Sequence, residues 1–220
     1  MKLYRFEHSC YAWKVQAVLE LCGARFDTID IPYSDRSALF AVAPGYAYVP
    51  VLVLDDGLVL RDSRIIVQHL VHQPPYHSLV PIGLEAAAWA YSDWCDLDLE
   101  DPLFKFCAPS LALRFPTENE RVLFTLIKER KYGTGALETW ARSSTELLGR
   151  ARHSLRPTIA SLSHHAFVLG EEPTIADAAL YGLLAMVEIG VPGTTTVLDP
   201  MLETWRKRMC AQGVSDPFPV

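Results

Sequence analysis

Ser9 and Cys10 stand side by side between a short apolar run and a stretch of helical periodicity, which places both at the start of a helix. A serine there can cap the first turn through its hydroxyl. The same hydroxyl, with the positive end of the helix behind it, can donate to an anion such as a thiolate. A cysteine at a helix N-terminus has its thiol pulled below the usual value of about 8.5, which suits it to disulfide exchange. Two further signals lie downstream. Val49-Pro50 precedes an apolar run. A cis proline there would end strand pairing and leave the Val49 N–H and C=O open to an extended ligand. Asp62-Ser63 precedes Ile65, Ile66, Val67 and Leu70, so it opens another helix, whose free N–H groups favour an anion. Each signal also has a plain structural use, as a helix cap or a strand-start proline.

The elements that must position these residues can be read from the pattern. Residues 3–6 read as a strand, and Val15, Val18, Leu19 and Cys22 then mark one face of a helix that Gly23 stops. A strand over 26–31 and a short helix over 34–42 follow. Residues 51–54 and 58–60 flank Asp55-Asp56-Gly57 as a hairpin, and a helix runs over 63–72. The order is βαβ, then ββα. Residues 73–84 hold three prolines and a glycine, the composition of a linker. Everything after it reads as helical, with helices over 85–100, 103–113, 118–131, 137–163, 174–188 and 199–211. Pro102, Pro109 and Pro157 are expected to interrupt or kink some of these. Thr174 and Asp177 form a capping box before IADAALYGLLAMVE, which is apolar nearly all round and so should be buried. The expected domains are 1–73 and 85–220, joined by a linker over 74–84.

Composition narrows the function. The chain has 220 residues, 50% of them hydrophobic, enough for a sizeable core. Its net charge of −6 argues against a nucleic-acid partner. No apolar run reaches the roughly 20 residues of a membrane span, and MKLYRFEHSC lacks a signal-peptide core. The five cysteines form no CxxC and no metal-ligand spacing, which points to reduced thiols and a cytoplasmic setting. No metal is expected. The acidic run Asp96, Asp98, Glu100, Asp101 reads as a solvated helix face.

Taken together, a βαβ-ββα half, a proline-rich linker and an all-helical half resemble the glutathione S-transferase superfamily over nearly the whole chain. Four segments carry the resemblance: Ser9-Cys10-Tyr11-Ala12-Trp13-Lys14-Val15, Val49-Pro50, Asp62-Ser63, and Thr174-Ile175-Ala176-Asp177 with the preceding Gly170. The first is similar to the serine- and cysteine-type branches (zeta, omega, beta), whose catalytic residue lies five before a basic residue, here Ser9 before Lys14. The chain departs from the family in having Ala43-Pro44 for Asn-Pro, one extra residue between Pro44 and Val49, and Asp62 in place of Glu or Gln.

The resemblance implies an N-terminal thioredoxin-like domain, a C-terminal helical bundle, glutathione as co-substrate, a homodimer, and a role in detoxification. It implies that the cysteinyl part of glutathione pairs with Val49 beside Pro50, and that the γ-glutamyl carboxylate and amine lie at Ser63 and Asp62. Ser9 is then the residue that stabilises the thiolate as it attacks a small hydrophobic electrophile. Cys10, four residues before Lys14, is the rival as a thiol-transfer nucleophile, and Tyr4 and Tyr11 are further candidates. Trp89, Tyr91, Trp94, Phe104 and Phe106 are available as core or as walls for the second substrate. A glutathione-dependent isomerase or dehalogenase could use the same site, and a non-catalytic interaction module could share the fold.

Overall fold

The computed structural model describes residues 1–217; the last three residues of the expected helical domain, 218–220, lie outside the described residues. The N-terminal half is a four-stranded sheet with helices. Strand β1 (Lys2–Arg5) leads into α1 (Cys10–Leu21), then β2 (Asp27–Asp30), α2 (Ser37–Val42), β3 (Val51–Val53), β4 (Val59–Arg61) and α3 (Ser63–Val71). The strand order is β2-β1-β3-β4. β1 runs parallel to β2 and antiparallel to β3, with Tyr4 opposite Val51. The hairpin closes as expected: Gly57 adopts φ +87°, its N–H donates to the Leu54 carbonyl, and Leu54 N–H donates to Leu58. This is the thioredoxin-like arrangement.

The linker is not a loose tether. Residues Tyr76–Leu79 form a short 3-10 turn whose Tyr76 and Leu79 are buried against the N-terminal half. Eight helices follow among the described residues: α4 (Glu85–Trp94), α5 (Glu100–Arg114), α6 (Glu118–Tyr132), α7 (Ala136–Arg142), α8 (Ser144–Leu162), α9 (Ile175–Gly190), α10 (Thr194–Leu198) and α11 (Pro200–Ala211). Several differ from the pattern reading. A π-helical turn over Cys95–Leu99 makes α4 and α5 one continuous element. Pro109 and Pro157 lie inside α5 and α8 without ending them, and Pro102, three residues past the π-helical turn, does not end that continuous element either. The single helix expected over 137–163 breaks at Ser143, and the short α10 had no sequence signal.

α9 is the spine of the molecule. Every residue from Ile175 to Glu188 is buried, as its apolar circumference requires. Its start is fixed by the expected capping box. Asp177 accepts hydrogen bonds from the Thr174 N–H at 2.9 Å and hydroxyl at 3.0 Å, and from Val168 N–H at 2.8 Å and Trp205 Nε1 at 2.9 Å. Its most extensive packing is against α1. That contact depends on Gly182, where an added Cβ would lie 2.3 Å from the Cys10 carbonyl oxygen and 2.8 Å from Lys14 N. α1 is therefore held on both sides, by the sheet domain and by α9. Its residues are buried almost continuously from Cys10 to Leu19, not along the single amphipathic face that the periodicity suggested.

Candidate active site

The N-terminus of α1 is set by Ser9. Its backbone is extended (φ −82°, ψ 111°), its carbonyl accepts from Ala12 and Trp13 N–H at 3.0 Å, and its Oγ accepts from Ala12 N–H at 3.3 Å. A hydroxyl has one proton and two acceptor lone pairs, so capping leaves the proton free to donate outward. Capping and anion stabilisation are thus compatible at Ser9. The loop before it is pinned by Trp13 Nε1, which donates to the Glu7 carbonyl at 2.7 Å, and by Arg5, which lies over the Trp13 ring and bonds Asp30 and Gln16.

Ser9, Cys10, Tyr11 and Val49 all line one cleft of about 330 Å³ between the two halves. The Val49-Pro50 peptide is cis, and the Val49 N–H and C=O have no hydrogen-bond partner among the described residues. The far wall comes from the helical half: Glu100 and Phe104 of α5, then Phe124, Ile127, Lys128, Lys131 and Tyr132 of α6. His8, Tyr33 and Arg36 close the remaining side. None of these last three, nor the α6 residues, was singled out in the sequence. Their only signal is that His8 adjoins Ser9.

Asp62 and Ser63 do not line this cleft. They sit at the head of α3, one hairpin away from Val49-Pro50. The Asp62 carboxylate caps α3, accepting from Arg64 N–H at 2.8 Å and Ile65 N–H at 3.3 Å. Its φ of +72° is a conformation that non-glycine residues adopt at a cost of order 1–3 kcal/mol. Ser63 is buried beside it.

The electrostatics correct one expectation. The Cys10 thiol is pushed well up, not down, by burial and by the nearby carboxylates of Glu100 and Asp96, despite its place at a helix start. Burial of its side chain outweighs the helix dipole. Burial likewise raises the Tyr11 hydroxyl. Tyr4 points to the other face of the sheet, packed with Ile31, Leu39, Ala43 and Val51. His8 is held to about 4 by burial first, then by Lys128 and Arg36, so it is neutral at pH 7; its ring packs with Phe6, Tyr33, Phe115 and Phe124.

One further expectation changes in part. Of the acidic run, Asp98 is exposed and Asp101 makes a surface pair with Lys105 at 2.6 Å, as a solvated face requires, but Asp96 pairs with buried Lys14 at 2.5 Å across the two halves and Glu100 faces the cleft. Of the five aromatic residues open to use as core or walls, Phe104 lines the cleft, and Trp89, Tyr91, Trp94 and Phe106 pack against the core. Trp89 lies under Arg64, and Tyr91 bonds Thr158 while packing on Trp94.

With this geometry in view, comparison with known families is decisive. Residues 3–78 match the glutathione S-transferase N-terminal domain, and residues 118–213 match the glutathione S-transferase C-terminal domain. The chain belongs to the glutathione S-transferase superfamily. Glutathione S-transferase 1 of Dianthus caryophyllus is 34% identical over 94 residues, which is 41% of this chain and 42% of that protein. The probable glutathione S-transferase BZ2 of Zea mays is 31% identical over 72 residues, 32% of this chain and 30% of that one. The chain thus matches less than half the length of either relative. The fold extends further. A glutathione S-transferase of Ceriporiopsis subvermispora, solved with glutathione, superposes with a TM-score of 0.80 at 17% identity, covering 98% of both chains. Glutaredoxin 2 of Salmonella typhimurium, also in complex with glutathione, gives 0.74 at 19% identity over 98% of this chain and 95% of that one. No helix among the described residues is long and apolar enough to cross a membrane.

Proposed function

We propose that this superfamily member is a serine-type glutathione transferase that activates the glutathione thiol with Ser9. The observation that carries the reading is the convergence of the Ser9 hydroxyl, at the head of α1, and the unpaired Val49 backbone on one cleft. Glutathione lying extended along Val49 would bring its sulfur to the Ser9 hydroxyl, with its γ-glutamyl end toward Asp62-Ser63. Two structural neighbours were solved with glutathione, which supports the same ligand here. Stabilising the thiolate by two pKa units corresponds to about 2.7 kcal/mol, within reach of one hydroxyl donor and a helix dipole. The thiolate then attacks a small electrophile with a hydrophobic body. A sulfur–carbon bond forms, the leaving group departs with its electron pair, and the thiol proton passes to water. We further propose a cytoplasmic homodimer; sedimentation giving one species near the chain mass of 24.6 kDa would refute the dimer.

The test is paired. Ser9→Ala should cut conjugation of a model electrophile by about 10- to 1000-fold, while Cys10→Ser leaves it largely intact. Full activity in Ser9→Ala would overturn the assignment. A glutathione adduct on Cys10, with disulfide reduction lost in Cys10→Ser, would move the chemistry to that thiol. Titration with glutathione separates all of these from an interaction module, which would not bind it.

A further inference from the structure

We propose that the electrophile carries an anionic group on a flat apolar body, and that Lys128 is the residue that recognises it. The proposal rests on the transferase reading above. Lys128 extends from α6 into the cleft on the side opposite Ser9 and Val49. Its ammonium lies 4.7 Å from the centre of the Phe104 ring and 4.8 Å from that of Phe124. Among the described residues it makes no hydrogen bond and has no carboxylate within ion-pair distance. The other partly buried lysines differ: Lys14 and Lys105 each sit on an aspartate, at 2.5 and 2.6 Å.

An ammonium taken from water with no carboxylate in direct contact, and only Glu100 acting on it from within the cleft, costs free energy that an arriving anion would recover. Burial lowers its pKa to about 8, so it remains mostly charged at pH 7 and is available as a cation. The surroundings set the shape of the guest. Rings on Phe104, Phe124 and Tyr132 form a wall against which a flat body can stack. Charge in the cleft is unbalanced: Arg36, Lys128 and Lys131 face a single carboxylate, Glu100. Arg36 is already committed, with Nη1 on the Ala47 carbonyl at 2.5 Å and its plane over Phe6. Lys131 lies at the more exposed mouth, over Tyr132. Lys128 is therefore the cation placed deep enough, and free enough, to read a carboxylate or sulfonate on a substrate.

Glutathione's own carboxylates are the competing occupants. The γ-glutamyl end is directed to Asp62-Ser63, away from this cleft wall. The glycine end is one peptide bond from the cysteinyl unit at Val49, on the sheet-domain side where Arg36 holds the segment before Val49. That leaves Lys128 facing the second substrate.

The probes are two glutathione conjugates that differ in charge alone, S-(4-carboxybenzyl)glutathione and S-(4-carbamoylbenzyl)glutathione, with glutathione itself as reference. Calorimetry at pH 7 should show the carboxylate conjugate binding about tenfold tighter than the amide, the effect of one hydrogen bond to a charged group. Lys128→Met should bring the ratio near one while glutathione and the amide conjugate keep their affinities within about twofold. Lys128→Arg should retain the preference. Equal affinities in the parent protein, or a preference that survives in Lys128→Met, would overturn the proposal. So would a loss of affinity for glutathione itself in Lys128→Met, because it would place Lys128 on the co-substrate. A parent protein that binds neither glutathione nor either conjugate would refute the transferase reading, and this proposal with it.

Discussion

The sharpest structural prediction concerns Gly182→Ala. Gly182 lies in the middle of α9, does not itself line the cleft and has no positive φ, so alanine suits its backbone and should favour the helix by about 1 kcal/mol. Packing works against that. The added Cβ would meet three main-chain atoms of α1: the Cys10 oxygen at 2.3 Å, Lys14 N at 2.8 Å and Lys14 Cα at 3.2 Å. A carbon and a carbonyl oxygen tolerate contact at about 3.3 Å, so the two helices must part by roughly 1 Å at this point. Backbone atoms inside helices cannot turn aside as a side-chain tip can. Overpacking of this kind costs about 1–3 kcal/mol, and the upper end applies here because Lys14, buried with Asp96, must move as well. For a chain of this size that predicts a melting temperature lower by about 5–10 °C. The displaced segment carries Ser9, and misplacement by about 1 Å can cost 100-fold in rate, so conjugation should fall further than stability explains. Gly149→Ala is the control: it is an exposed position in α8 with nothing within 4 Å of the new Cβ, and it should be neutral or slightly stabilising. A Gly182→Ala protein melting within a degree of its parent would refute the argument that α1 and α9 meet backbone to backbone at this glycine.

Three other outcomes are expected. Asp177→Ala should destabilise the protein by at least about 3 kcal/mol in urea denaturation, since four buried donors lose one acceptor; a loss below about 1 kcal/mol would show that the network is dispensable. Stability should decline in acid through His8: the unfolded chain takes up its proton near 6.5 and the folded one near 4, so acid favours the unfolded state between those values and the loss, about 3 kcal/mol at most, is complete below pH 4. Denaturation from pH 7 to 4 should show the parent losing stability relative to His8→Leu as pH falls, and a constant difference would contradict it. Ser63→Ala should weaken glutathione binding by about 1–3 kcal/mol in calorimetry, and unchanged affinity would remove the γ-glutamyl end from α3.

What the sequence determined by itself is local or self-contained. The Asp55-Asp56-Gly57 turn, the Thr174–Asp177 box and the apolar circumference of IADAALYGLLAMVE each state their conformation in a few adjacent residues, and each appears in the structure. The spacing of Ser9, Val49-Pro50 and Asp62-Ser63 was legible for the same reason, because each is tied to the boundary of an element. Tertiary structure decided whatever depends on a remote partner. The periodicity of α1 showed one apolar face, and only the arrival of α9 at Gly182 buried the other. That burial also reversed the expected acidity of Cys10, since desolvation is set by neighbours far along the chain. Asp96 and Glu100 looked as solvated as Asp98 until the fold brought Lys14 to the first and turned the second into the cleft. The wall facing Ser9 was likewise invisible: Phe124 and Lys128 carry no motif, and they become a site only because α6 forms the far wall of a cleft whose other side is built by Ser9, Cys10, Tyr11 and Val49, remote in the chain.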